Sequence, residues 1–408
     1  MNAPVEVVAA RANGDMTVGT LYPSQRRGTS SATFVHAEGW LADPLAYPLD
    51  PALPLVSGHL PAPVGLPLFN ALRDTAPDRW GRTLIARLER LEADQQSRTP
   101  RMLTEVDLLL GVRDDLRTGA LRFRTDPDGP FLAPDDRGVP ALVDLGALVA
   151  AAEDIESDAA SIAEVRRLVR AGSSLGGARP KAHVRTAAGR LAIAKFPSRA
   201  HDEWDVIAWE KVALDIAALA GIDVPSSELL RVDGRSVLVV ERFDRRADGT
   251  RVGYRSGLTM LEAREGETRS YLDLAEAIEQ HSPQASEDLE ELWRRIVLSV
   301  LIANTDDHLR NHAFLHAIGG AWRLSPAFDL NPDPSPGPRH LSTAIDEVHT
   351  EASIDLALTV SGGFRLERDA AERILVEVRR AVERWPEIAR GHGLDRRERD
   401  RMAPAFGG

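Results

Sequence analysis

The sequence predicts an α+β fold of two lobes, a β-rich N-terminal lobe followed by an all-helical C-terminal lobe. Three observations carry that prediction. Turn signals flanked by alternating apolar residues recur up to about residue 250. From about residue 271 onward apolar residues return at helical spacing instead. Hairpin signals end before the mainly helical region begins, so the boundary is expected near residue 250.

The first predicted element is a hairpin. Residues 5–10 and 16–21 flank Asn13-Gly14-Asp15, a turn sequence that tolerates positive φ. A Pro-rich stretch leads into a helix expected over 69–91. Two short apolar segments, 108–112 and 120–123, come next without a clear period. Residues 125–140, rich in Asp, Pro and Gly, read as a linker. Helical patterns cover 142–152 and 160–169. Strands are expected at 181–186 and 191–196, joined by Ala187-Ala188-Gly189. A helix over 202–220 closes at Gly221. A second hairpin, 228–232 with 236–242, turns at Asp233-Gly234. Helices over 289–303 and 370–384 dominate the C-terminal part of the chain, with a Pro-rich loop at 331–338 between them. The expected domains are therefore 1–140, 141–250 and 251–408.

Composition narrows the function. With 43% hydrophobic and 27% charged residues, the chain is an ordinary globular sequence. It has no cysteine, so disulfides, thiolate metal sites and cysteine nucleophiles are excluded, and a reducing cytosol suits it. The first residues lack a basic region followed by an apolar run, and no apolar stretch reaches membrane-helix length. A soluble, cytoplasmic protein with no membrane partner is expected. The net charge of −12 comes from 50 basic and 62 acidic side chains, which are interleaved, as over 395–401. Direct DNA binding needs clustered Lys and Arg and is not supported.

Four groups suggest phosphotransfer. Gly172-Ser173-Ser174-Leu175-Gly176-Gly177-Ala178-Arg179-Pro180-Lys181 is a small-residue loop whose backbone N–H groups could approach phosphate, with Arg179 or Lys181 adding charge. It runs into a strand, as a kinase glycine-rich loop does, and lacks the Gly-Lys-Ser/Thr of a Walker loop. Lys195 shares a strand face with Leu191 and Ile193, so it needs an anionic partner. Glu210, on the apolar face of the next helix, could supply one, as a kinase helix glutamate does.

The densest signal is Asn304-Thr305-Asp306-Asp307-His308-Leu309-Arg310-Asn311. It comes after a helix with the apolar stripe Leu289, Leu292, Trp293, Ile296, Val297, Val300 and Leu301. Asp306 and Asn311 have the D-x-x-x-x-N spacing of a kinase catalytic loop, where Asp takes the hydroxyl proton and Asn holds Mg²⁺. Spacing alone leaves Asp307 as an alternative base. Asp329, shortly downstream, fits a second oxygen ligand for Mg²⁺ bound with ATP. Each residue also has a plain structural reading, as a surface turn, an edge lysine or a helix cap. Their order is what points to a two-lobed protein-kinase-like fold.

The motifs SSLGGARPK, IAKF, VVERFDR, NTDDHLRN and SPAFDLNP, in that order, together with APDRWGR at 76–82, resemble the HipA-type toxin kinases of type II toxin–antitoxin pairs. That resemblance implies a Mg²⁺/ATP-dependent serine/threonine protein kinase. It implies autophosphorylation at Ser174, with Ser173 as the neighbouring alternative, withdrawing the loop and silencing the enzyme. Leu175, Gly176, Gly177, Ala178, Arg179 and Lys181 would cover the triphosphate, with Lys195 reaching the phosphates. Glu241, Arg242 and Phe243 would hold adenine. Asp306 would be the base, Asn311 and Asp329 the Mg²⁺ ligands, and His308 a support for the loop. The implied partners are a HipB-like DNA-binding antitoxin, with DNA only through that complex, and an aminoacyl-tRNA synthetase, especially glutamyl-tRNA synthetase, as substrate. Asp307 stands where some members have glycine, and Leu175-Gly176 where others carry different residues. Two other readings share the same residues: a small-molecule kinase and a non-catalytic nucleotide-binding co-repressor.

Overall fold

Strands Val5–Ala9 and Met16–Arg26 pair antiparallel, as the Asn-Gly turn predicts, with Gly14 at φ 119°. In this computed structural model the described residues are 3–26, 29–132, 139–172 and 177–407. The hairpin grows into a five-stranded antiparallel sheet. Its order is Leu60–Pro61, Thr29–His36, Met16–Arg26, Val5–Ala9 and Leu121–Arg124. A register shift between Val7 and Val8 adds a bulge, and both side chains are buried despite being neighbours. Gly19 is needed inside this sheet, because a Cβ there would lie 2.2 Å from the Val35 carbonyl.

The helix expected over 69–91 is two helices, Asn70–Arg73 and Arg79–Gln95. Pro77 cannot donate within a helix and disfavours helical geometry at the residue before it, so the run breaks there. Asp78 restarts it by accepting from Gly81 N at 2.8 Å. The two aperiodic segments become a helix, Glu105–Leu110, and the edge strand Leu121–Arg124. Helices Leu145–Glu156 and Ile162–Ala171 come next, the second opened by a Ser161/Glu164 capping box. Strands Lys181–Arg185 and Leu191–Lys195 then pair antiparallel, with Lys181 opposite Lys195.

Asp205 caps helix Val206–Leu219, and Gly221 at φ 79° lies just past its end. Strands Ser227–Val232 and Arg235–Glu241 form the next hairpin, with Asp233 and Gly234 both at positive φ, as a two-residue turn requires. Helices Tyr271–His281, Ala285–Leu301 and Arg368–Val382 dominate the rest. The C-terminal region is not all-helical, however. Strands Ala313–His316 and Trp322–Leu324 form a hairpin directly after the catalytic-loop motif, with Phe314 opposite Leu324. Runs of three and four residues are too short to show alternation in sequence.

The chain divides into two compact units. One comprises Met1–Ala200, Asp244–Arg255 and Ile318–Gly320; the other comprises His201–Phe243, Ser256–Ala317 and Ala321–Gly408. No helix among the described residues is long and apolar enough to cross a membrane.

Candidate active site

Every residue of the predicted apolar stripe on helix Ala285–Leu301 is buried, and Trp293 also donates Nε1–H to Ala357 O at 3.1 Å. The helix therefore delivers its C-terminus from the core at a fixed position. Ala303 then turns the chain with φ 52°, unusual for a residue with a Cβ. Buried Asn304 braces the turn: its backbone N–H donates to Ser299 O at 2.9 Å, and its Oδ1 accepts from Asn331 N at 3.1 Å. Asp333 N donates to Ala303 O at 3.1 Å. The catalytic-loop motif and the segment carrying Asp329 are thus stitched together.

The two neighbouring aspartates have opposite environments. The side chain of Asp306 is 68% exposed, with His308 Nε2 at 3.9 Å from Oδ1. Asp307 is 2% exposed, and its carboxylate accepts from the Tyr271 hydroxyl, from Ser342 N at 2.7 Å and from Thr343 N at 3.4 Å. Its carbonyl accepts from Thr343 Oγ1 at 2.7 Å and from His312 Nε2 at 3.2 Å. Burial pushes the Asp307 carboxyl up to about 6, against the pull of these donors. Burial likewise pushes His312 down to about 3, so its ring is neutral and Nε2 carries the proton given to Asp307 O. Burial and the adjacent carboxylate raise the Tyr271 phenol well above its usual value.

Asn311 sits in the turn Leu309–Asn311 and is 7% exposed. Its Nδ2 donates to Asp306 O at 2.7 Å, which fixes the carboxamide to the Asp306 backbone. Its Oδ1 is buried and has no hydrogen-bond partner among the described residues. An orphaned carboxamide oxygen costs about 1–3 kcal/mol unless something occupies it, and oxygen donors of this kind suit Mg²⁺. The Asp329 backbone takes φ 58°, and its carbonyl accepts from Asn331 Nδ2 at 3.2 Å. The ring of the preceding residue, Phe328, lies 5.3 Å from that of Phe243 at 38°. So the segment Glu241-Arg242-Phe243 reaches the neighbourhood of the Asp329 loop.

Short helix Gly257–Met260 supports the motif from another side. Gly257 N donates to His312 O at 2.7 Å, and a Cβ on Gly257 would lie 2.8 Å from the Leu309 carbonyl. Only glycine permits that approach. Glu210 is 3% exposed on helix Val206–Leu219, and Lys195 is half-buried at the end of its strand. Gly177 and Ala178 are exposed and Arg179 is half-buried. Ser173, Ser174, Leu175 and Gly176 lie outside the described residues. Lys181, expected to face phosphate, is instead buried and ion-paired with Asp78 at 2.8 Å.

Sequence reasoning missed Tyr271, Asn304, His312 and the Ser342-Thr343 backbone. Asn304 lies two residues before Asp306, and His312 directly follows Asn311. Tyr271 and Ser342-Thr343 carry no signal, since only folding brings them to Asp307. Among the described residues, no group of three or more His, Asp or Glu side chains is disposed to hold a metal alone.

The fold and this motif define a class, and comparison with known proteins supplies the family. A chain of the Shewanella oneidensis MR-1 toxin–antitoxin complex of HipA, HipB and operator DNA matches with a TM-score of 0.63 at 17% identity. That match covers 98% of this chain and 95% of that one. The model of the HipA-like C-terminal domain matches residues 173–385, more than half of the sequence. The chain belongs to the HipA-like family. A putative kinase of Haemophilus influenzae is 28% identical over 136 residues, spanning 30% of this chain and only 39% of that relative's length. The Helicobacter pylori proinflammatory kinase CtkA shows a slighter likeness, with TM-score 0.38 and 18% identity over 57% of this chain and 92% of its own.

Proposed function

We propose that this chain is a Mg²⁺/ATP-dependent serine/threonine protein kinase, acting as the toxin of a type II toxin–antitoxin pair. The observation that carries the reading is Asn311: its amide hydrogen is tied to the Asp306 carbonyl while its buried Oδ1 lacks a partner among the described residues. A metal-binding oxygen and a proton acceptor are thereby held on one short turn.

Asp306 is the base. Asp307 is consumed by three donors in the core, whereas the Asp306 carboxylate is exposed to an incoming hydroxyl. It accepts the hydroxyl proton as the oxygen attacks the γ-phosphorus, and ADP leaves. Asn311 and Asp329 would hold Mg²⁺, and two side-chain oxygens plus phosphate oxygens and water suffice for its octahedron. When bound, the ion neutralises charge developing on the phosphates. His308 supports the loop, Lys195 serves the phosphates, Glu210 is the helix carboxylate of the kinase pattern, and Glu241, Arg242 and Phe243 hold adenine. Gly177, Ala178 and Arg179 contribute backbone and charge near the triphosphate. Ser174, with Leu175 and Gly176, is assigned to the loop on family resemblance, Ser174 being the autophosphorylated residue.

The Haemophilus relative's description as a kinase and the toxin–antitoxin context of the Shewanella structure support this reading. They also support a HipB-like DNA-binding antitoxin as partner. An aminoacyl-tRNA synthetase is the proposed substrate, and the cytoplasm the proposed location.

The deciding experiment incubates the wild-type chain and Asp306→Asn with γ-labelled ATP, Mg²⁺ and a bacterial lysate. Removing the base should cut transfer by about 10²–10⁴-fold. Label on protein supports the proposal. Label confined to metabolites would replace it with a small-molecule kinase, and equal, negligible rates with a nucleotide-binding co-repressor.

A further inference from the structure

The sequence motif Ala76–Arg82 has no part in the chemistry above, yet it contains the partner of a buried lysine. The ion pair between Lys181 Nζ and Asp78 Oδ2 spans 2.8 Å, with the two side chains only 3% and 4% exposed. The other Asp78 oxygen accepts from Gly81 N at 2.8 Å, so this carboxylate caps the helix Arg79–Gln95 and grips Lys181 together. Two residues along, Trp80 Nε1 donates to the Lys181 carbonyl at 3.2 Å. Both ends of Lys181, ammonium and backbone, are thus attached to the start of one helix.

The ammonium also touches the loop. Gly177 has φ 99°, and a Cβ there would come within 3.1 Å of Lys181 Nζ, so the lysine packs beneath the backbone bend at Gly177. The adjoining Pro180 carbonyl accepts from Phe196 N at 2.9 Å, next to Lys195. On the far flank, Gly172 at φ 68° fits against Leu116, where a Cβ would meet Cδ1 at 2.7 Å. His183 Nδ1 makes a 3.1 Å hydrogen bond with the Ala171 carbonyl.

We propose that Asp78 and Trp80 are positioning residues: through Lys181 they hold residues 177–181 in the conformation that receives nucleotide phosphate. Lys181 in this scheme is a structural strut and not a phosphate ligand. Its consequence for catalysis rests on the phosphotransfer reading above. The physical reason is preorganisation. A limb already fixed by a buried tie loses little entropy when phosphate arrives, whereas a loosened one must be ordered by the ligand. Burial makes the tie stiff, because a lone charge left there would be poorly solvated.

The test uses the full chain. The double variant Asp78→Asn/Lys181→Met keeps a helix cap, since Asn caps as well as Asp, and leaves no unpaired buried charge. It should melt within a few degrees of wild type yet raise KM for ATP by about tenfold, with kcat changed less than about threefold. Trp80→Phe removes one hydrogen bond only and should raise KM by roughly threefold, which keeps the idea testable if the double variant folds poorly. A KM within twofold of wild type for the folded variants overturns the proposal.

The single variant Asp78→Asn separates the strut from a phosphate-binding lysine. Freeing Lys181 for phosphate would leave KM unchanged or lower it, while losing the tie raises it. Amide exchange gives a readout independent of turnover. In the nucleotide-free variants the amides of Gly177, Ala178 and Arg179 should exchange about tenfold faster than in wild type. If wild type itself transfers no phosphate, the kinase reading falls, and the exchange rates alone judge the tie. Unchanged rates would sink it.

Discussion

At the scale of single residues, the adjacent pair Asp306 and Asp307 shows how environment divides identical chemistry. Asp307 carries three hydrogen bonds on its carboxylate and a raised acidity constant, which could suggest the catalytic role. Its donors come from Tyr271, Ser342 and Thr343 in the core, however, and leave it no room for a substrate. Asp306→Asn is therefore expected to lose activity without losing stability. Asp307→Asn should destabilise the fold by about 1–3 kcal/mol, because an amide N–H₂ in place of one carboxylate oxygen leaves the Tyr271 hydroxyl or a backbone N–H without its buried acceptor. Urea unfolding of the two variants, run beside the transfer assay, separates these outcomes. Asn311→Ala, which removes the orphaned oxygen, should raise the Mg²⁺ concentration for half-maximal transfer by about 10–100-fold. An unchanged Mg²⁺ dependence would remove Asn311 from the metal site.

The raised acidity constant of Asp307 has a thermodynamic sign. Its folded value, about 6, exceeds the ordinary 3.8, so between these values the folded state binds more protons than the unfolded chain. This group therefore favours folding below about pH 4, and the advantage is lost as pH rises through 6. The difference is on the order of 3 kcal/mol at full extent. The stability of wild type relative to Asp307→Asn should accordingly fall between pH 4 and 7 in urea titrations. A gap that stays level or widens across that range would contradict the assignment.

At the scale of elements, the site depends on the angle at which buried pieces meet. Helix Ala285–Leu301 ends where the motif begins, so loosening its core should reach the loop. Leu292→Ala, at a fully buried position, should cost about 2–5 kcal/mol. Gly257→Ala is a sharper probe, because its methyl would meet a backbone carbonyl that cannot rotate away. It should cost about 1–3 kcal/mol and slow phosphotransfer through displacement of Leu309–Asn311. Chemical denaturation and a single-turnover measurement check the two effects. Retained rate with lowered stability would show that the loop tolerates the shift.

At the scale of the whole molecule, charge decides what the chain meets alone. A net charge of −12 with interleaved signs repels a polyanion. The isolated chain should bind duplex DNA more weakly than about 1 μM at physiological salt, with any tight operator binding appearing only when the antitoxin is added. A gel-shift titration of the chain alone, showing submicromolar retardation, would overturn that division of labour.

Much of this was legible in the order of residues. The Asn13-Gly14 and Asp233-Gly234 turns, the stripe on Ala285–Leu301 and the spacing of Asp306 and Asn311 are local patterns, set by backbone sterics and helical period within a few positions. The break at Pro77 was missed, because apolar residues at helical spacing run across it and mask the proline. Short strands such as Trp322–Leu324 were missed too, because three residues cannot display a period.

The sequence by itself determined the two tight turns, the long helices of the C-terminal part, the family and the chemical types available at the site. Tertiary structure alone decided which of two neighbouring aspartates faces solvent, and that Lys181 pairs its charge with Asp78. Burial and long-range pairing set those outcomes. A side chain's role depends on which partners the fold carries to it: Tyr271 and Ser342 reach Asp307 from 36 and 35 positions away along the chain, and Asp78 reaches Lys181 from 103.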